Sequence, residues 1–223
     1  MHSQVVILGG GPGGYAAAFL AADQGLDVTL IEVNPHLGGT CLLRGCIPSK
    51  ALLHVAHVIT QVDDLSANWG VQFDAPVIDL VTLRQRKDSL ISALAGGLKQ
   101  LASRRKVQVI QARGSFLDST TLQLEGDDAS IANDDTLTFD YCIVATGSSV
   151  AVPTVWQTDS PRVMTSDEAL QLLEIPSSLL VVGGGYIGLE LGSVYAQLGA
   201  RVSVVEMADR LLPEADKDLV KPL

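Results

Sequence analysis

The sequence predicts an α/β fold of two strand–helix–strand units, the first enlarged by a β-meander and the second incomplete. Two observations carry this prediction. Glycine-rich turns at Gly9 to Gly14 and Gly183 to Gly188 each follow a continuous apolar run and lead into a helical stretch. Between Gly114 and Phe139 the pattern changes to apolar–polar alternation, the period of antiparallel strands with one packed face. Hydrophobic residues make up 47 % of the 223, enough for a real core.

Val5 to Leu8 is continuously apolar, as a parallel strand buried on both faces requires. Tyr15 to Gln24 is alanine-rich and helical up to Gly25, and Val28 to Ile31 is a second strand closed by Glu32. Gly9, Gly11 and Gly14 take the G-x-G-x-x-G positions: the first for a tight turn, the second for approach of a pyrophosphate, the third for close helix packing. With Pro12 they would seat a diphosphate on the amides of the helix N-terminus. Glu32 follows Gly9 by 23 residues, near the spacing at which an acid bonds a ribose hydroxyl.

The same unit returns later. Leu179 to Val182 is an apolar strand, Gly183, Gly185 and Gly188 repeat the pattern, and Ile187 to Leu198 is a helix stopped by Gly199. Val202 to Val205 follows, and Glu206 stands 23 residues after Gly183, the same offset as in the first unit. Two matched turns point to dinucleotide binding at both, in Rossmann-like units.

Between them lies Gly38-Gly39-Thr40-Cys41-Leu42-Leu43-Arg44-Gly45-Cys46-Ile47-Pro48-Ser49-Lys50. Cys41 and Cys46 have four residues between them, and Cys142 is the one other cysteine. Where thiols are kept reduced, so close a pair is better suited to cycling than to bracing. The bland reading is two small buried apolar residues. The glycine pair lets backbone pass close to another group, and Gly45 sits where the chain must bend. Thr40 is expected to cap a helix from about Cys41 through Ile59, continuing to Val62, whose first amides favour a thiolate. Pro48 implies a kink or a later start.

The remaining elements are coarser. Asp63 to Pro76 reads as polar and turn-rich, Leu80 to Ser103 as a long helix weakened at Gly96-Gly97, and Val107 to Ile110 as a strand. Ser115 to Leu117, Thr121 to Leu124 and Thr136 to Phe139 form the meander, with turns at Asp127-Asp128 and Asn133-Asp134-Asp135 read as solvated loop rather than a calcium site. Tyr141 to Gly147 is a further buried strand ending in Ala145-Thr146-Gly147, with Cys142 a core residue. Val152-Pro153 to Ser160-Pro161 is an extended crossover, and Thr165 to Glu168 caps the following helix.

A formal charge of −10 argues against nucleic acid and anionic membranes as partners. No apolar run approaches the roughly 20 residues of a membrane span, and the first residues lack a signal-peptide pattern. These features place the chain in the cytoplasm, or in a matrix after loss of a presequence. His54 and His57 are three apart on a helix but alone make a poor metal site; no metal is expected, and no histidine is nominated as a catalytic base.

The Gly38 to Lys50 stretch resembles the redox-active disulfide signature of the flavin disulfide reductases, and Ile47-Pro48-Ser49-Lys50 resembles the dihydrolipoamide dehydrogenases among them. The resemblance covers nearly the whole chain and implies a flavoprotein oxidoreductase. It assigns FAD to residues 1–150, with Gly39, Thr40, Ala145, Thr146 and Gly147 joining the first turn, and NAD to residues 151–223. It makes Cys41 the thiol that exchanges with substrate and Cys46 the one beside the flavin, with Lys50 and Glu190 paired near the flavin on the nicotinamide side. Electrons would run from dihydrolipoyl groups through the Cys41/Cys46 disulfide and FAD to NAD. Glu206 favours NAD over NADP, since it would repel a 2′-phosphate and no arginine follows before Arg210. Partners implied are a lipoyl-bearing acyltransferase or H-protein of a 2-oxo acid dehydrogenase or glycine cleavage complex, and a second copy in a full-length homodimer.

Chains of that family are longer, so the expectation is an N-terminal portion, its second nucleotide domain truncated, the interface domain and its His-Glu base outside the sequence, and turnover poor. The alternatives are a non-catalytic nucleotide-binding fragment, or a flavin disulfide reductase of mercuric or glutathione reductase type. Leu43-Arg44 departs from the more usual Asn-Val of the loop.

Overall fold

The structure is a computed structural model describing residues 1–126 and 136–223. The turns expected at Asp127-Asp128 and Asn133-Asp134-Asp135 lie outside the described residues. The chain packs as two units, Met1–Cys46 with Ser89–Ser149, and Ile47–Asp88 with Val150–Leu223.

The first unit is built on β1 (His2–Leu8), α1 (Pro12–Asp23), β2 (Val28–Glu32) and α2 (Gly39–Arg44). It also holds Cys46, the first residue of α3 (Cys46–Asn68), and α4 (Leu80–Arg104) from Ser89 onward. Then come β3 (Gln108–Gln111), β4 (Arg113–Phe116), β5 (Thr121–Glu125) and β6 (Thr136–Val144). The strands form one six-stranded sheet in the order β3-β2-β1-β6-β5-β4. Its first four strands pair in parallel, and β5 pairs antiparallel with both β6 and β4.

One core lies between the sheet and the helices, where Val5, Ile7, Val28 and Leu30 meet Ala18 and Ala102. On the other side, Val6, Leu8, Ile31 and Ile110 meet Leu122, Leu124, Leu137 and Phe139 of the meander. The continuous apolar strands β1 and β2 are thus covered on both faces, as their sequence requires.

Several boundaries differ from expectation. The strands expected at Thr136 to Phe139 and at Tyr141 to Gly147 are one strand, which pairs with β5 near its start and with β1 along its length. It is not buried throughout: Tyr141 and Val144 stay exposed, while Cys142 packs on the meander core. The helices concentrate on β1 and β2 and reach little of β6, so an apolar run alone does not guarantee cover. The helix expected from Cys41 is two helices, α2 and α3, broken at Gly45, where a β-carbon would lie 2.9 Å from the Thr40 carbonyl oxygen. Pro48 is tolerated in the first turn of α3, where its missing N–H breaks no helical bond. That helix runs on to Asn68, past the expected loop start, and α4 passes Gly96 and Gly97 unbroken.

The second unit holds the rest of α3, the start of α4, α5 (Ser166–Gln171), β7 (Ser178–Val182), α6 (Tyr186–Gln197), β8 (Arg201–Val205) and α7 (Lys217–Val220). Thr165 caps α5 in a capping box with Glu168, as its sequence predicts. β7 and β8 pair in parallel, and Leu52 and Ala56 of α3 pack with Leu170, Leu191, Val194 and Tyr195.

Candidate functional site

Three backbone segments meet in the first unit where β1 and β6 end side by side. The Ala145 amide donates to the Leu8 carbonyl at 2.8 Å, which brings Ala145 to Gly147 against the turn that follows β1. The sheet order reverses direction at β1, the place where open α/β sheets bind ligands. Gly9 has φ +100°, and a β-carbon on it would lie 2.2 Å from the Ala145 carbonyl oxygen. One on Gly14 would lie 1.7 Å from the Gly9 carbonyl oxygen, so α1 begins hard against the turn. Gly11 faces Gly39, where a β-carbon would stand 2.6 Å from the Gly11 α-carbon, and the Gly38 amide donates to the Gly10 carbonyl at 2.8 Å. The entry to the cysteine helix is therefore strapped to the first turn through backbone.

These residues fit the diphosphate of a dinucleotide. The positions a side chain would block are glycine, Pro12 opens α1, and that helix has neither a capping side chain nor an acid in its first turn. Helix amides left in this state favour an anion. Thr40 is not the cap expected of it: it lies inside α2, whose N-cap is Gly38.

Glu32 is 6 % exposed and braces the turn. One carboxylate oxygen accepts the Gly10 amide at 2.6 Å, and the other accepts the Asn34 amide at 2.8 Å and the Asn34 side chain at 2.6 Å. Of the roughly four lone-pair sites of a carboxylate, one is left for a ribose hydroxyl. Asn34 escaped the sequence reading, since nothing but its place two residues past the acid marks it.

The second turn repeats these bonds. The Gly183 amide donates to Val205 at 2.8 Å as Gly9 does to Ile31, and the Gly184 amide donates to Glu206 at 2.6 Å as Gly10 does to Glu32. The Leu212 amide donates to Gly184 at 3.0 Å in the place of Gly38 to Gly10, and Leu211 lies against Gly184 as Leu37 lies against Gly10. Gly188 packs on Gly183, Gly185 is the N-cap of α6, and that helix also lacks a capping side chain and a first-turn acid. The amides of Ala208 and Gly184 hold the Glu206 carboxyl below its ordinary range. The second turn is the more open: no atom stands within 4 Å of a β-carbon on Gly183 or on Gly185.

Cys41 sits half-buried in the first turn of α2, and Cys46, exposed, is the first residue of α3. They lie close together as thiols, not joined by a disulfide. In the second unit Lys50 donates to Glu190 at 2.6 Å, and Ser49, also missed by the sequence reading, donates to the other oxygen of Glu190 at 3.2 Å. Lys50 and Glu190 are thus brought together across 140 residues.

Among the described residues no helix is long and apolar enough to cross a membrane, and no three metal-ligating side chains gather.

The family described as pyridine nucleotide-disulphide oxidoreductase matches residues 3–223. The chain belongs to that family. Dihydrolipoyl dehydrogenase of Vibrio cholerae is 47 % identical over 99 % of this chain and 46 % of its own length. That of Haemophilus influenzae is 48 % identical over 99 % of this chain and 45 % of its own. The HOCl-induced flavoprotein disulfide reductase RclA of Escherichia coli superposes with a TM-score of 0.79 at 31 % identity, over 98 % of this chain and 45 % of that one. The chain spans less than half the length of these relatives. A pyridine nucleotide-disulphide oxidoreductase is a flavoprotein oxidoreductase, and the family supports FAD as cofactor.

Proposed function

We propose that the chain carries the flavin and dithiol part of a dihydrolipoyl dehydrogenase-type enzyme, with FAD on the first glycine turn and NAD on the second. The observation that supports this most is the meeting of the Gly9 turn, the Gly38-Gly39 entry to the cysteine helix and the Ala145 turn within one unit. FAD, once bound, supplies the two-electron acceptor between dithiol and NAD. Cys41 and Cys46 are the redox-active centre. A thiolate of a dihydrolipoyl group attacks Cys41 of their disulfide and displaces Cys46 as thiolate; the second substrate thiolate then displaces Cys41, leaving the protein reduced by two electrons. Lys50, held by Glu190, places a positive charge one turn beyond Cys46 on α3 to stabilise negative charge developing on the acceptor.

NAD rather than NADP suits the second turn. Glu206 would repel a 2′-phosphate, and Arg210 donates to the carbonyls of Ala215, at 3.1 Å, and Pro213. The partners are a lipoyl-bearing acyltransferase or H-protein and, in the full-length enzyme, a second copy; the compartment is the cytoplasm.

The test is the visible spectrum of the purified chain before and after dihydrolipoamide. A yellow preparation that bleaches or gains a long-wavelength band supports the reading, and Cys46→Ser should abolish that response while flavin stays bound. A colourless preparation leaves a nucleotide-binding fragment without turnover.

A further inference from the structure

The two oxygens of the Glu32 carboxylate are not equivalent. Glu32 is 6 % exposed, and a charge so far from water must be held by donors. Oε2 accepts the Gly10 amide at 2.6 Å, whereas Oε1 accepts the Asn34 amide at 2.8 Å and the Asn34 side-chain amide at 2.6 Å. A carboxylate oxygen offers about two lone-pair sites, so Oε1 is filled and the remaining acceptor lies on Oε2, beside the glycine turn. Turning Oε1 to a ligand instead would strip two donors from a buried charge, which is costly. In the second turn the matching position is Ala208, which gives Glu206 its amide at 2.7 Å and has no side-chain donor to add.

We propose that Asn34 is a positioning residue of the first nucleotide site. Its side-chain amide fixes which oxygen of Glu32 meets the ligand, so Glu32 bonds one hydroxyl of the adenosine ribose rather than both. The proposal deepens the reading of that turn as the FAD site and rests on it. Asn34 acts through the carboxylate and not on the ligand itself. Without its side chain, Oε1 keeps only the backbone amide of residue 34, and the carboxylate can turn either oxygen outwards. Order that the folded chain supplies beforehand must then be imposed when the ligand binds, and affinity falls. Glu206 meets no such side chain at Ala208, so the restriction belongs to the first turn.

The test titrates the flavin-free full chain with FAD and with two analogues, whose adenosine is replaced by 2′-deoxyadenosine or by 3′-deoxyadenosine, and reads each dissociation constant from the change in flavin fluorescence. In wild type one analogue should bind about tenfold more weakly than FAD and the other within about twofold of it. Asn34→Ala should weaken FAD about fivefold, yet weaken the analogue that lacks the bonded hydroxyl by less than about twofold. Asn34→Ser, which keeps a shorter donor, should fall between wild type and Asn34→Ala. A loss from Asn34→Ala that is equal for FAD and both analogues marks a merely structural role and overturns the proposal, as does no loss for FAD; either leaves the FAD site standing. Should Asn34→Ala not fold, wild type decides: equal weakening by removal of either hydroxyl, or by neither, overturns it. If the wild-type chain binds no FAD at all, the FAD reading falls and the proposal with it.

Discussion

Gly9 and Ala145 approach so closely that a β-carbon on Gly9 would lie 2.2 Å from the Ala145 carbonyl oxygen, whereas its counterpart Gly183 has open space on that side. Both glycines have positive φ, +100° and +106°. Gly183→Ala should therefore cost only the backbone strain, about 1–2 kcal/mol. Gly9→Ala adds a clash with backbone that cannot rotate away, and should cost about 3 kcal/mol or more together with loss of bound flavin. Urea unfolding with the flavin content of each variant checks this. Equal losses would mean that the Ala145 contact is not what demands glycine.

Glu206 gives a pH dependence of definite sign. The amides of Ala208 and Gly184 stabilise its carboxylate and hold its pKa below the ordinary 4.5. A depressed folded value contributes stability above the unfolded pKa and loses it as pH falls through the folded one. Wild type and Glu206→Gln should thus differ at neutral pH, and the gap should narrow as pH falls below the ordinary 4.5 and through the lower folded value. Thermal melts from pH 7 downwards test this. A gap that persists at low pH would mean that the variant fails for a reason other than the charge.

The two turns were legible because the chain writes them twice. Glycine spacing, apolar runs and a matched acid are local in sequence, and their physics is local too. That Ala145 joins the first turn could be expected from the resemblance alone, since the contact of its carbonyl with Gly9 depends on which strand lies beside β1. The break between α2 and α3 was legible in part: the sequence marks a bend at Gly45 and a kink or later start at Pro48, but not that the Thr40 carbonyl stands where a side chain on Gly45 would go. Lys50 and Glu190 could be paired from resemblance, whereas Ser49 joins them only through the packing of α3 on α6.

The Lys50–Glu190 pair should matter more for chemistry than for folding. Its nitrogen and oxygen are 2.6 Å apart, yet the lysine side chain is 59 % exposed, so water screens the attraction. Pairs of this kind contribute less than about 1 kcal/mol. Lys50→Met should leave the melting temperature within a few degrees, while reduction of bound flavin by dihydrolipoamide slows by about tenfold or more. Stopped-flow absorbance beside a melting curve separates the two effects. A large loss of stability with unchanged flavin reduction would reverse the assignment.

The carbonyls that end α5 are served by side chains from two other helices. Tyr195 donates its hydroxyl to Ala169 at 2.9 Å, Lys87 donates to Leu170 at 2.9 Å, and Arg84 donates to Leu172 and Leu173 at 3.0 and 3.1 Å. Leu172 sits at φ +49°, so the chain turns away there and its last carbonyls point to these donors. Burial, with Glu174 adding to it, raises the Tyr195 pKa and keeps the hydroxyl a donor beyond the ordinary phenol range. Tyr195→Phe keeps the ring in the core and removes one hydrogen bond, for an expected cost of about 1 kcal/mol. Lys87→Met removes a charge-assisted bond from a side chain 8 % exposed, and should cost about 1.5–3 kcal/mol. Denaturant midpoints of the two variants, with slopes unchanged, measure this. A Lys87→Met variant as stable as wild type would show that desolvating the ammonium cancels the bond, and that Tyr195 and Arg84 suffice to end the helix.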